Sequence, residues 1–280
     1  MTRRQAPRQA ETRYTMADLK RVMERLRDPE GGCPWDQKQS FETIITYTLE
    51  ECYELAEAID QADLKQIAEE LGDVLFQVVF YSQLGSELGA FDLDTVIDGL
   101  VRKLVRRHPH VFVGEDLESR PEHKDLSVDV IKGTWERLKQ EEREQKNAPG
   151  LLDDVPYALP ALSRAQKLQK RAARIGFDWT SQEQVLGNLN DELTELQEAM
   201  ISEQSADIEE EAGDLLFSVV NLTRHLGLDA ESTLRAANKK FERRFRHMEH
   251  AARVEGKKLQ DETPEQLELR WQSAKRQAAD

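Results

Sequence analysis

One arrangement of carboxylates occurs twice in this chain, each time running into helix sequence apolar enough to form a core. Glu50-Glu51-Cys52-Tyr53-Glu54 is followed after fourteen residues by Glu69-Glu70-Leu71-Gly72-Asp73, which leads into Val74-Leu75-Phe76-Gln77-Val78-Val79-Phe80. Asp191-Glu192-Leu193-Thr194-Glu195 precedes Glu210-Glu211-Ala212-Gly213-Asp214 by the same fourteen residues, and Leu215-Leu216-Phe217-Ser218-Val219-Val220 follows. Glu51/Glu192, Glu54/Glu195, Glu70/Glu211 and Asp73/Asp214 all fall on one offset of 141 without a gap. A slightly smaller offset pairs Lys103 and Arg107 with Lys240 and Arg244, and Trp135 and Lys139 with Trp271 and Lys275. Trp35 and Trp179 each stand beside an aspartate after a glycine-containing loop. Self-similarity of this order constrains the architecture before any single motif does, and it predicts two copies of one unit.

The periodicity within each copy is helical. Leu19, Val22, Met23 and Leu26 make one stripe of a helix over 16–27, and the spacing predicts further helices over 41–59, 63–84, 94–107 and 128–146. In the second copy it predicts helices over 159–174, 182–202, 208–226, 231–254 and 264–279. No alternating β-branched run bounded by turns occurs, so the fold expected is all-α, a tandem repeat of helical-bundle modules. Asn147-Ala148-Pro149-Gly150 carries the strongest linker signal. The organisation expected is therefore a disordered tail over 1–15, modules over 16–146 and 151–280, and a linker over 147–150. A long apolar helix in each short module would expose too much apolar surface in a monomer, which predicts a homodimer.

Composition narrows the function. A net charge of −15 opposes the basic field of a general nucleic-acid binder. Cys33 and Cys52 make no disulfide framework and, with no secretory leader read in the polar, Arg-rich first fifteen residues, suit a reducing cytoplasm. No apolar run is long enough to span a membrane.

Residues three apart on a helix share a face. Glu51 and Glu54 therefore point one way from one helix, and Glu70 and Asp73 from the next; Glu192, Glu195, Glu211 and Asp214 repeat this. Four close carboxylates raise one another's pKa values unless a cation holds them. An all-oxygen set suits Mg²⁺, with Mn²⁺ as a substitute. One such cluster alone is as well explained as a solvated acidic face; its duplication at identical spacing favours metal. A di-iron bundle needs Glu-x-x-His pairs, and no histidine stands three after any of these acids. Acid-held metal together with the i, i+4 pair Lys240 and Arg244, and with Trp271 and Lys275, fits polyphosphate chemistry. Neither a Walker A loop nor a GxGxxG turn is present.

The Glu-Glu-x-x-Glu … Glu-Glu-x-x-Asp pattern resembles the all-α NTP pyrophosphohydrolase superfamily, which includes MazG, dimeric dUTPases and phosphoribosyl-ATP pyrophosphohydrolase. The tandem copy resembles bacterial MazG, as do Gly32-Cys33-Pro34-Trp35-Asp36, Arg107-His108-Pro109-His110-Val111-Phe112, Gly176-Phe177-Asp178-Trp179 and Lys240-Phe241-Glu242-Arg243-Arg244-Phe245. The resemblance runs from about Leu19 to Lys275. It implies Mg²⁺-dependent cleavage of NTPs and dNTPs to monophosphate and diphosphate with broad base tolerance, in a homodimer whose C-terminal copy is the main site. By position it implies that Glu192, Glu195, Glu211 and Asp214 hold the metal. It likewise implies that Lys240, Arg244 and Lys275 contact phosphates and that Trp271 borders the nucleotide. Asp191 departs from the glutamate that usually opens the motif. Glu51, Glu54, Glu70 and Asp73 form a complete second set, for which activity on another substrate, regulation and dimerisation all stay open.

The mechanism expected is attack by a water that Glu192 or Glu195 orients, while the cations draw charge from the triphosphate. A helical nucleotide-binding scaffold without turnover is the rival of a different class. A specific dUTP or phosphoribosyl-ATP hydrolase is the rival within the class.

Overall fold

The computed structural model describes residues 13–120, 127–145, 150–202 and 204–277. Most of the expected tail and residues 147–149 of the expected linker lie outside the described residues. Those described form helices and turns, with no strand among them. The chain divides into two compact units, Met1–Gln140 and Glu141–Asp280.

In the N-terminal unit the helices are α1 (Met16–Leu26), α2 (Phe41–Gln61), α3 (Leu64–Glu87), α4 (Leu93–Arg107) and α5 (Val128–Gln145), the last running past the division. Their starts are fixed by side chains that satisfy the first free backbone N–H groups. Thr15 and Asp18 form a reciprocal box at α1, Ser40 and Thr43 do so at α2, and Asp63 and Asp92 cap α3 and α4. Only Ala62, in the left-handed region, and Asp63 separate α2 from α3, so the two long helices pack as a tight antiparallel hairpin. α1 and α4 pack on α3. The core is Met23, Ile44, Val79, Phe80, Leu84 and Leu93, with Leu19, Phe41, Phe76 and Tyr81 packed against it. Gly85 allows the Phe91 ring onto α3: a Cβ there would stand 2.6 Å from it.

The C-terminal unit repeats the plan with α6 (Ala161–Ala173), α7 (Gln182–Ser202), α8 (Ser205–His225), α9 (Ala230–Val254) and α10 (Pro264–Gln277). The offset of 141 seen in the acids holds for the helices themselves: α2 and α7 differ by it at both ends, and α3 and α8 at their starts. α6 packs on α8 and α9, and α9 folds back on α10. The sequence starts α8 at 208, whereas the helix begins one turn earlier, at Ser205. Three short 3₁₀ turns, Asp36–Lys38, Val113–Glu115 and Leu259–Asp261, carry no periodic signal and were not expected. No helix of the described residues is long and apolar enough to cross a membrane.

Candidate active site

The two hairpins bring their acids together. One carboxylate oxygen from each of Glu192, Glu195 and Glu211 lies within 4.8 Å of the others, and Glu51, Glu70 and Asp73 form the corresponding group. Glu192 and Glu195 come from one face of α7 and Glu211 from α8. α7 and α8 pack as neighbours, as α2 and α3 do in the first hairpin. Asp214 and Glu54 stand outside these triads but inside their field. Burial first, and then the charges of Glu195, Asp214, Glu210 and Glu192, push the Glu211 carboxyl above its ordinary range. Burial and the charges of Asp73, Glu54, Glu70 and Glu50 do the same to Glu51. Partly buried carboxylates that oppose one another's ionisation, with only oxygen to offer, fit a hard divalent cation.

The sequence does not disclose what lies beside the C-terminal cluster. A cavity of about 630 Å³ opens between α6, α7, α8 and the 176–179 loop. Its walls include Phe177, Trp179 and Phe217, and its polar groups include Gln169, Asn188 and Asn221. Glu192 belongs to both cavity and cluster. Asn188 joins the two, donating from Nδ2 to Glu192 Oε1 at 3.2 Å and to Ser218 Oγ at 2.8 Å.

The loop is held in place. Gly176, at φ +84°, turns the chain out of α6 in a conformation that favours glycine. Asp178 is gripped by both Nη atoms of Arg224, one at 2.9 Å, and by His225 Nε2 at 2.9 Å. Burial opposes the Asp178 charge, yet the hydrogen bonds and charges of Arg224 and His225 hold its carboxyl below the ordinary range. The sequence marked Gly176-Phe177-Asp178-Trp179 as a loop and as part of the family resemblance but not as a cavity wall; the signal that could have found the cavity is polar residues at core-facing positions of α6.

The expected phosphate contacts form a second assembly. Lys240 and Arg244 lie on α9, Trp271 and Lys275 on α10. The Trp271 ring packs on Phe241 with centroids 5.3 Å apart, and both Arg244 and Lys275 stand 5.8 Å from its centroid. Arg244 Nε is buried without a hydrogen-bond partner among the described residues. No ion pair among the described residues joins these cations to the acids. In the N-terminal unit Trp135 instead meets the His108 ring at 5.7 Å, and the side chain of Lys139 lies outside the described residues.

A helical hairpin bearing an acid triad that could hold a metal ion thus occurs twice in tandem. The MazG nucleotide pyrophosphohydrolase domain matches residues 39–112 and 180–249, one copy over each hairpin. A nucleoside triphosphate pyrophosphohydrolase of Escherichia coli strain K12 is 47% identical over 263 residues, 92% of this chain and 96% of its own. The nucleoside triphosphate pyrophosphohydrolase/pyrophosphatase MazG of Thermotoga maritima is 43% identical over 258 residues, 92% of this chain and 94% of its own. A crystal structure of a mazG-related protein from Thermotoga maritima is 30% identical, covering 44% of this chain and 98% of that one at a TM-score of 0.37. The chain belongs to the MazG family.

Proposed function

We propose that the C-terminal unit hydrolyses nucleoside triphosphates and their deoxy forms to monophosphate and diphosphate, with broad base tolerance. One observation carries this reading: Glu192 is at once a member of the acid triad and a wall of the cavity. A ligand filling both would have a polyanionic, metal-bound end and a flat aromatic end, as a nucleotide does.

Glu192, Glu195, Glu211 and Asp214 would hold Mg²⁺, or Mn²⁺ in its place. Bound there, the ion would neutralise charge developing on the phosphates. Glu192 or Glu195 orients a water and takes its proton as the water oxygen forms a bond to a phosphorus of the α–β anhydride. The bridging P–O bond breaks and diphosphate leaves. Lys240, Arg244 and Lys275 contact the phosphates, and Trp271 borders the nucleotide between Arg244 and Lys275. Glu51, Glu54, Glu70 and Asp73 are a second metal site. The functional modules are 16–146 and 151–280, with 147–150 as linker and 1–15 as tail.

The assembly proposed is a homodimer. Leu49, Tyr53 and Leu71 on the first hairpin and Leu193, Leu216 and Phe217 on the second are each more than 40% exposed, an apolar surface that a second copy would cover. Sedimentation at micromolar concentration should give twice the chain mass; a monomer would remove this part of the proposal. The setting proposed is the cytoplasm, in keeping with two unpaired cysteines. The test of the activity is diphosphate release from a panel of NTPs and dNTPs with and without Mg²⁺, and no release from any of them would refute it.

A further inference from the structure

Among the described residues three buried side-chain polar atoms have no hydrogen-bond partner, all in the C-terminal unit: the Nε atoms of Arg164 and Arg244 and Oε1 of Gln169; of these residues only Gln169 lines the cavity. Gln166 uses both ends of its amide, donating from Nε2 to the Leu228 carbonyl at 2.7 Å and accepting from the Ala230 N–H at 3.0 Å. Arg171 donates to Asp154 Oδ2 at 2.8 Å and to the Leu151 carbonyl at 3.0 Å. Gln169 uses only half of its amide. It is 7% exposed, and its Nε2 donates to the Phe217 carbonyl at 2.8 Å. Its Oε1, fully buried, has no partner among the described residues.

A carbonyl oxygen can only accept, so the contact with Phe217 fixes which end of the amide is nitrogen and leaves the oxygen as the unpaired end. Buried acceptors in folded proteins are almost always satisfied, and one that is not calls for a missing donor. Gln169 lines the cavity together with Phe177, Trp179 and Phe217. A volume of about 630 Å³ with Phe177, Trp179 and Phe217 in its walls and amide side chains beside them suits a planar heterocycle.

We infer that Gln169 reads the nucleobase: its Oε1 accepts a hydrogen bond from a ring or exocyclic N–H of a base lying against these aromatic side chains. The inference rests on the nucleotide reading proposed above and names the group at its base end. It also accounts for tolerance, because adenine, guanine, cytosine, uracil and thymine all carry an N–H at their pairing edge. What the pocket rejects is a heterocycle without one, since binding it would leave the buried acceptor unpaired.

The test uses the full chain and ligands that cannot turn over. AMP and purine riboside 5′-monophosphate differ only in the exocyclic amine, and their binding is compared by calorimetric titration. AMP should bind about tenfold more tightly to the wild type, the ratio expected for one unpaired buried acceptor. In Gln169→Leu, which keeps the bulk and removes the acceptor, the two should bind within about twofold of each other. Equal binding to the wild type, binding of neither, or a tenfold preference retained in Gln169→Leu would each overturn the inference. Ribose hydroxyls are the other donors in a nucleotide. If 2′,3′-dideoxy-AMP alone binds weakly, Gln169 faces the sugar and the base assignment falls. The wild-type comparison stands whether or not the variant folds. Loss of base discrimination with Mg²⁺-dependent diphosphate release intact removes the role of Gln169 and leaves the hydrolase; discrimination without release does the reverse.

Discussion

The two hairpins share a backbone plan and an offset of 141, and each gathers an acid triad that has two of its three positions in common with the other, Glu51/Glu192 and Glu70/Glu211, yet they surround those acids differently. In the C-terminal unit Asn188, Ser218 and Asn221 line an open cavity beside Glu192. The same offset puts Tyr47, Gln77 and Phe80 at those positions in the N-terminal unit. Phe80 is fully buried in the core, and Tyr47 meets the Trp35 ring edge-on at 5.7 Å. Aromatic side chains thus occupy in one copy two of the three positions that line a cavity in the other, and the longer Gln77 stands where the other copy has Ser218. Repeated acids show where a cation could sit in both copies, while their neighbours leave a cavity with aromatic walls beside the acids of the C-terminal copy.

The largest expected effect sharpens the contrast from the N-terminal side. Phe80→Ala should cost about 3–5 kcal/mol of that unit's stability, as emptying a packed core position does. Diphosphate release per folded molecule should stay as in the wild type, because the cavity belongs to the other unit. Chemical denaturation followed beside the activity would check both halves, and a parallel fall in turnover of the folded protein would break the comparison. A smaller effect is expected at the cavity loop. Asp178→Ala removes the anchor shared by Arg224 and His225, and charge-assisted hydrogen bonds are each worth about 1.5–3 kcal/mol. KM for ATP should rise about tenfold with kcat less affected, since the acids are untouched; an unchanged KM would mean that the loop does not shape the nucleotide site.

The smallest effect concerns acid stability. Arg270 on α10 donates to Glu255 at the end of α9 and to Glu262, and the hydrogen bonds from Arg270 and then from Lys257 hold the Glu255 carboxyl at about 2 instead of 4.5. A carboxyl depressed in the folded state stabilises above its unfolded pKa, and that contribution is lost as pH falls from about 5 towards 2. Arg270→Gln should therefore have the lower Tm at pH 7 and a shallower loss of Tm over that range. Identical acid profiles would show that the α9–α10 end does not depend on this network.

Much of this was legible in the sequence. The helices of both hairpins follow from apolar stripes; the structure adds that Ser40, Asp63 and Asp229 fix helix starts, their side chains accepting from free N–H groups. The acid pairs were legible because i, i+3 spacing fixes a shared face whatever the tertiary packing. The cavity was not. Gln166 and Gln169 follow Leu162 at four and seven residues, on the stripe that faces the core, but glutamines on a charged helix read as solvated. Only packing against α8 and α9 makes them buried, and only the hydrogen-bond partners separate Gln166, satisfied at both ends, from Gln169. Trp271 carried a nucleotide reading in the sequence; its seat on Phe241 between Arg244 and Lys275 depends on how α9 and α10 pair, which periodicity alone does not give.

Of the two similar acid clusters, the C-terminal one is proposed to do the chemistry. The direct measurement is Mg²⁺-dependent diphosphate release by the wild type, Glu192→Ala and Glu51→Ala on the same nucleotide panel. Glu192→Ala should lose at least about a hundredfold in kcat/KM, about 2.7 kcal/mol of transition-state stabilisation, with Glu51→Ala within a few-fold of the wild type. Loss confined to Glu51→Ala, with Glu192→Ala fully active, would contradict the account and move the reaction to the N-terminal hairpin.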